Sequence, residues 1–581
     1  MTRFNRIRPH VHGQPESSIV ILKHTNILNS RATNITLVAI FCLGLLLVIA
    51  SPAKFHGDEK FYDNAAIRMV QTGDYWTPYF ADGQIRLLKP ILTYWAAAGS
   101  FHIFGINLFG SRFVFALAGV LLICLTYQLA KIIFNSRRTA LLAALILACN
   151  VEVLTLSTRA TPDALLCLFV AVSMLGFARV WFRGDKTFLG PLLAFGGIGL
   201  AVQTKGLLGL CPLGAALLFW LVAKPDSART KKLLNLHAIA IGIFLALFWY
   251  AMMLNRHGGG AIKAFFDDQV GNKVTASLAF MLGNFTHYLT STVRHFMPWT
   301  LLFAFVLIWK RRELRVKWKQ HKQASIFLLG LLAILVVSFS FSNMRRARYL
   351  TAADAMFAVF LARGLAGLTT HDAFQKFLRW AIVAFALGLA AVGIGMIAEG
   401  FIFDARFIAG GAIFLAVGGG GIFLLRNADK TWRWVWMSGA MFLGFVVFGT
   451  CLRPVLSPPP CSLITQALLK QNRLATPVFT WKITPTQAGQ IRMLSGGQLI
   501  VSEMKTNASL PDFSGAEIAL TVSPNQILFE QTGYRLQEIP MTNAMLATFP
   551  RLGKWICDDE VKTTTTSYWI AVKSFDAKPA R

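Results

Sequence analysis

Thirteen apolar runs, each close to the length that crosses a bilayer, fill most of the first 452 residues of this chain and leave it few folds to adopt. They lie at about 35–51, 109–134, 139–157, 163–182, 187–204, 206–223, 234–254, 297–309, 324–341, 350–368, 380–403, 406–426 and 433–452. Runs of this length that must satisfy their own backbone in hydrocarbon are helices, so the expected fold class is an α-helical polytopic membrane protein. The 55% hydrophobic content and mean hydropathy of +0.54 agree with that class and exclude an ordinary soluble enzyme of 581 residues.

The net charge of +30 is mostly an orientation signal. With the N-terminus in the cytoplasm, the inside segments carry Arg3 to Arg31, Arg137-Arg138, Arg183 with Lys186, Lys224 to Lys232, Lys310 to Lys322, Lys376 with Arg379, and Arg426 with Lys430 and Arg433. An odd number of spans then sends the C-terminal segment outside. The cations are divided among many loops and form no stripe with interleaved aromatics, which argues against nucleic-acid binding. Ser51-Pro52-Ala53 resembles a cleavage site, but the basic segment before the first span is over thirty residues, so that span reads as a retained anchor.

Ionisable groups beside a bilayer are costly and mark sites, and three outer segments concentrate them. The first, about 52–108, contains Gly57-Asp58-Glu59-Lys60-Phe61-Tyr62 and Leu88-Lys89-Pro90. Its apolar spacing predicts an amphipathic helix on the membrane from Glu59 to Thr72, ended by Gly73, and a second helix from near Pro90 to Gly105. The second, about 255–296, mixes charges and aromatics as a lid would and includes Lys273. The third, 342–349, is a cation cluster of Arg345, Arg346 and Arg348 beside Tyr349, on the side where cations are normally sparse, which implies an anionic ligand.

Each of these side chains has a plain alternative. Asp58 is either a catalytic carboxylate or the N-cap of the following helix. Glu59 is a ligand contact or a solvated first-turn acid, and Tyr62 a ligand contact or an interfacial anchor. Lys89 and Lys205 contact phosphate or snorkel to headgroups. Asp163, in Arg159-Ala160-Thr161-Pro162-Asp163, is a site acid or a helix-start residue. If the ligand is a sugar carried on polyprenyl phosphate, the cations stabilise the leaving phosphate and Asp58 activates or orients the acceptor.

Most cysteines sit in or beside spans and behave as small hydrophobes; Cys461 with Cys557 is a candidate outer disulfide. No CxxC or HExxH motif is present. After Arg453, Ser457-Pro458-Pro459-Pro460 reads as a stiff linker. Strand patterns at Val478 to Ile483, Gln498 to Val501, Glu517 to Val522 and Ser567 to Val572, with helices near 462–471 and 485–494, predict a small α/β domain. The expected organisation is a membrane domain over 1–452 with structured loops at 52–108, 255–296 and 342–349, followed by a periplasmic soluble domain over 453–581.

The order Asp58-Glu59, Gly73-Asp74-Tyr75-Trp76-Thr77-Pro78, Lys89-Pro90 with Tyr94-Trp95, and Phe104-Gly105 with Arg112 resembles the bacterial aminoarabinose transferase family. The resemblance runs on through Arg159 to Asp163, Thr204-Lys205-Gly206, Trp249-Tyr250, Pro298-Trp299, and Phe339-Ser340 to Tyr349. It implies a GT-C fold, in common with protein O-mannosyltransferase-like enzymes, and transfer of a sugar from undecaprenyl phosphate to lipid A or another envelope glycan at the inner membrane. It implies catalytic roles for Asp58 and Asp163. It places Lys89 and Lys205 at functional positions, and with the residue chemistry above the candidate substrate-binding residues are Glu59, Tyr62, Lys89, Lys205, Lys273, Arg345, Arg346, Arg348 and Tyr349. Leu88 replaces the family's usual acid before the lysine, which counts against a divalent metal, and no cofactor is otherwise expected. Phe61 stands where arginine is usual, and Asp268-Gln269-Val270-Gly271-Asn272 where the lid usually carries Glu-Asn-x-x-Arg, a gap Lys273 would fill. A protein O-glycosyltransferase, or a transporter of lipid-linked sugars, is the alternative; the absence of repeated halves argues against the transporter.

Overall fold

The computed structural model describes residues 31–51, 56–81, 83–267, 277–309, 311–343, 345–366, 372–402, 404–427, 430–456, 461–470, 477–481, 483–503, 518–521, 534–539 and 568–573. The chain begins with α1 (Arg31–Ala50), followed by two helices of the first loop, α2 (Glu59–Thr72) and α3 (Leu92–Phe104). Then come α4 (Leu108–Phe134), α5 (Arg137–Ala148), α6 (Val151–Ser157), α7 (Pro162–Arg183), α8 (Leu189–Lys205) and α9 (Cys211–Ala223). After a short helix at Ser227–Leu233 follow α10 (Leu236–Phe266), α11 (Leu278–His295), α12 (Trp299–Trp309), α13 (Arg311–Gln320) and α14 (Lys322–Ser340). The bundle closes with α15 (Asp354–Ala366), α16 (Asp372–Gly400), α17 (Ala405–Asn427) and α18 (Lys430–Val447).

Among the described residues ten helices are long and apolar enough to cross a membrane, or up to twelve if each of two bent pairs is one span. The bends are 66° between α5 and α6 and 102° between α11 and α12. Asn150 makes the first bend workable, because its side chain accepts from the freed N–H groups of Glu152 and Val153 at the new helix start. The sequence expectation of thirteen separates α8 from α9, which together count as one 35-residue apolar helical run. The chain turns back within that run at Gly206, whose φ of +63° favours glycine, and a side chain at Gly209 would strike the Val202 backbone.

Helix α2 departs from the expected surface helix. Eight of its residues are buried, from Glu59 to Met69, because it is covered on one side by the bundle and on another by the C-terminal domain. That domain contains α19 (Cys461–Lys470), β1 (Val478–Trp481), α20 (Pro485–Leu494), β2 (Val501–Glu503), β3 (Ile518–Thr521), β4 (Tyr534–Ile539) and β5 (Tyr568–Lys573). Its sheet order is β2-β1-β3-β5-β4, with the first three strands parallel and β5 antiparallel to both neighbours. Four strands and both helices match the sequence reading within a few residues; β4 was not anticipated. The Pro-rich linker and Cys557 lie outside the described residues, so the Cys461–Cys557 pairing does too.

The domain meets α2 through α20 and the turn after it. Met493 is fully buried in a cluster with Tyr62, Ala65, Met69 and Tyr94. Gln71 donates to the Gly497 carbonyl at 2.8 Å, and Gly489 lies so close that an added Cβ would be 2.9 Å from the Lys60 Cβ.

Candidate active site

Asp58 occupies the N-cap position of α2, yet its side chain makes no capping hydrogen bond. Arg348 Nη2 instead donates to Oδ2 at 2.5 Å, and Arg346 Nη1 stands 3.6 Å away. Those arginines come from the segment before α15, some 290 residues along the chain. Burial alone would raise the Asp58 carboxyl. The hydrogen bond and charge of Arg348, joined by His56 and Arg346, outweigh it and hold the group below the usual carboxylate range. At 33% exposure the side chain remains open to a ligand.

A second pair lies next to the first. Asp163 sits in the first turn of α7 behind Pro162, and Lys205, the last residue of α8, forms an ion pair with it. The Lys205 ammonium is also 5.0 Å from the centre of the Tyr349 ring, which stacks on Phe339 at 4.6 Å. Arg348 and Lys89 are both close enough for their charge to act on Asp163. The first loop, the start of α7, the end of α8 and the 342–349 segment thus converge on two carboxylates and their cations. Among the described residues, buried Arg348 Nε and Thr161 Oγ1 have no hydrogen-bond partner. Buried donors of this kind await an acceptor.

The structure corrects several site readings. Glu59 is fully buried: Arg112 grips both oxygens at 2.9 and 3.0 Å, while the backbone N–H of His56 and of Ala160 donate at 2.7 and 3.0 Å. It is a clamp between the first loop, α4 and the 158–161 turn, neither a substrate contact nor a solvated acid. Tyr62 is 4% exposed and packs its ring 5.5 Å from Tyr94, a supporting position beneath the site and not a membrane anchor. Arg345 is directed away from Asp58, donating to Asn284 at 2.7 Å and lying over Phe280. Lys273 and the adjoining lid residues 268–276 are outside the described residues.

Sequence reading missed Arg86. It is 5% exposed, hydrogen-bonds the Tyr94 hydroxyl, and has Phe61, Tyr62, Phe80 and Tyr94 rings within 5.7 Å of its guanidinium. Such cation–aromatic packing lets a buried cation persist without a carboxylate. The alternation of aromatics around Phe61 and Phe80 was the available signal. A second latch holds the far end of this loop to α10, where Arg256 meets Asp74 at 3.2 Å and His257 meets Thr77 at 3.2 Å. Among the described residues no three His, Cys, Asp or Glu side chains gather in a way that would hold a metal ion, and Leu88 supplies no ligand.

Residues 88–253 match the family model for dolichyl-phosphate-mannose-protein mannosyltransferase. An uncharacterized protein of Aquifex aeolicus is 33% identical over 267 residues, 44% of this chain and 51% of its own length. The undecaprenyl phosphate-alpha-4-amino-4-deoxy-L-arabinose arabinosyl transferase 1 of Pseudomonas fluorescens is 29% identical over 61% of this chain and 63% of its own. The chain therefore spans between half and two thirds of the length of these curated relatives. The crystal structure of ArnT from Cupriavidus metallidurans bound to undecaprenyl phosphate superposes with a TM-score of 0.69, at 16% identity over 95% of this chain and 100% of that one, and shares the fold. In sequence the chain is thus similar to bacterial undecaprenyl-phosphate aminoarabinose transferases and, over residues 88–253, to the protein mannosyltransferase family model, and it shares the fold of ArnT.

Proposed function

We propose that this protein is an inner-membrane glycosyltransferase that moves a sugar from a polyprenyl-phosphate carrier to lipid A or another envelope glycan, with its site and C-terminal domain on the periplasmic side. The orientation rests on Lys and Arg concentrating in the loops at the opposite end of the bundle. One observation carries the chemistry: Asp58 is held by Arg348 and not spent on its helix, and the Asp163–Lys205 pair stands beside it.

In this reading the bond between the sugar C1 and the carrier phosphate oxygen breaks as an acceptor oxygen bonds to C1. The phosphate leaves with the electron pair, and Arg348, Arg346, Lys89 and Lys205 stabilise its charge. Arg348 Nε and Thr161 Oγ1 supply hydrogen bonds that the described residues leave unused. A hydroxyl acceptor passes its proton to Asp58, whose low-lying carboxyl is ionised at neutral pH; an acceptor phosphate, already anionic, is only oriented by it. Asp163 fixes the Lys205 ammonium. Tyr349 supports it from the other side.

The test is mass spectrometry of envelope lipids and glycoproteins from cells with and without the protein, together with transfer from a synthetic polyprenyl-phosphate sugar. A sugar-sized mass difference names donor and acceptor. Asp58→Asn is expected to lower transfer by about 10²–10⁴-fold at unchanged abundance if it accepts a proton. Turnover near wild type removes Asp58 from its role.

A further inference from the structure

We propose that the end of the bundle farthest from the site holds one anionic phospholipid of the adjoining leaflet, its acyl chain seated in a cleft between α1, α4, α5 and α18. The cleft has a volume of about 620 Å³, within the range of built ligand sites. Its walls come from residues 34–41 of α1, 120–128 of α4, 141–148 of α5 and 435–443 of α18. The lining is almost wholly apolar, although Asn34, Tyr127, Gln128 and Ser438 are among its residues. Water gains nothing there.

The cleft is separate from the active site. Its closest approach along α1, at Phe41, is nine residues before Ala50, about 14 Å of helix. Asp58 lies beyond that end. The α18 wall is open: a Cβ built on Gly439 meets nothing within 4 Å, so this face of the helix is not packed against protein among the described residues. Only 28% of the apolar window of α1 is buried, which leaves the cleft accessible from the bilayer.

The charge at the mouth selects the headgroup. Lys131 follows Gln128 by three residues on α4, and Arg138 precedes Leu141 by three on α5. Two helix ends thus bring cations to the same opening. Basic residues beside an anionic membrane surface are attracted to its headgroups. An apolar slot that opens between cations matches a phospholipid with one chain inserted and its phosphate at the rim.

Native mass spectrometry of the full chain in mild detergent tests this, followed by add-back of phosphatidylglycerol in lipid nanodiscs. One phospholipid per chain is expected on the wild type, with occupancy falling at least fivefold in Gly439→Phe, which fills the open wall. Ala144→Leu narrows the cleft from α5 and gives the same result if the Phe variant misfolds. Replacing both Lys131 and Arg138 with Gln is expected to keep lipid binding but remove the preference for phosphatidylglycerol over phosphatidylethanolamine. The proposal is overturned if the wild type carries no lipid, if Gly439→Phe and Ala144→Leu both keep it, if the retained molecule is polyprenyl phosphate, or if cross-linking places residues 1–30 in the cleft. None of these readouts depends on transfer activity.

Discussion

Replacing Glu59 with Gln takes from the Arg112 guanidinium the carboxylate that holds it through two hydrogen bonds. Both side chains are essentially fully buried, at 0% and 3% exposure, so no solvent screening softens the loss. Removing one partner of a buried ion pair costs about 3–5 kcal/mol, because the remaining charge has no water to return to. The glutamine carbonyl still accepts from Ala160, but its amide nitrogen then faces a donor, either Arg112 or the His56 N–H, adding about 1–3 kcal/mol. Burial would raise the Glu59 carboxyl, but Arg112 and the two backbone donors hold it below its usual range. The clamp is therefore complete at neutral pH and is lost only as pH falls through that depressed value. Chemical unfolding in mild detergent, compared with wild type, reads the cost. The double variant Glu59→Gln with Arg112→Met is expected to recover at least about 2 kcal/mol, since the buried cation that lost its carboxylate is gone. A single-variant cost below about 1 kcal/mol, or a double variant no more stable than the single, refutes the clamp.

Arg348→Met removes the main influence holding the Asp58 carboxyl down and leaves burial to raise it. The acid limb of the rate profile is then expected to move to higher pH, and an unmoved limb would show that Asp58 does not titrate in the reaction. Gly489→Leu drives a side chain into the Lys60 Cβ, an overpacking worth about 1–3 kcal/mol. Slower transfer with faster proteolysis between the bundle and the C-terminal domain is expected; wild-type values for both would mean the contact does not position α2. Dialysis against a chelator is expected to leave transfer intact, and a loss restored by a divalent cation would show that residues 268–276 or others complete a metal site.

Much of the membrane domain was legible because a bilayer imposes one length and one polarity on every span. The C-terminal strands were legible from short apolar runs. The charged pairs were not. Asp58 with Arg348 and Asp163 with Lys205 join residues 290 and 42 positions apart, and no local pattern encodes which cation a carboxylate will meet. Glu59 looked like an ordinary first-turn acid because its partner lies 53 residues away on α4. Arg345 looked equivalent to its neighbours, since the turn that directs it to Asn284 is set by packing. Strand β4 (Tyr534–Ile539) has Arg535, Gln537 and Glu538 among its six residues, too polar a run to stand out locally, and its place is fixed by pairing with β5.

Helix α2 holds Asp58 at one end while Met493, Gly489 and Gly497 bear on its flank, so the two halves of the molecule share a single rod. Exchange of the C-terminal domain between relatives would accordingly succeed only when the graft brings a matching first loop. Divergence in the surface of one should leave a compensating record in the other.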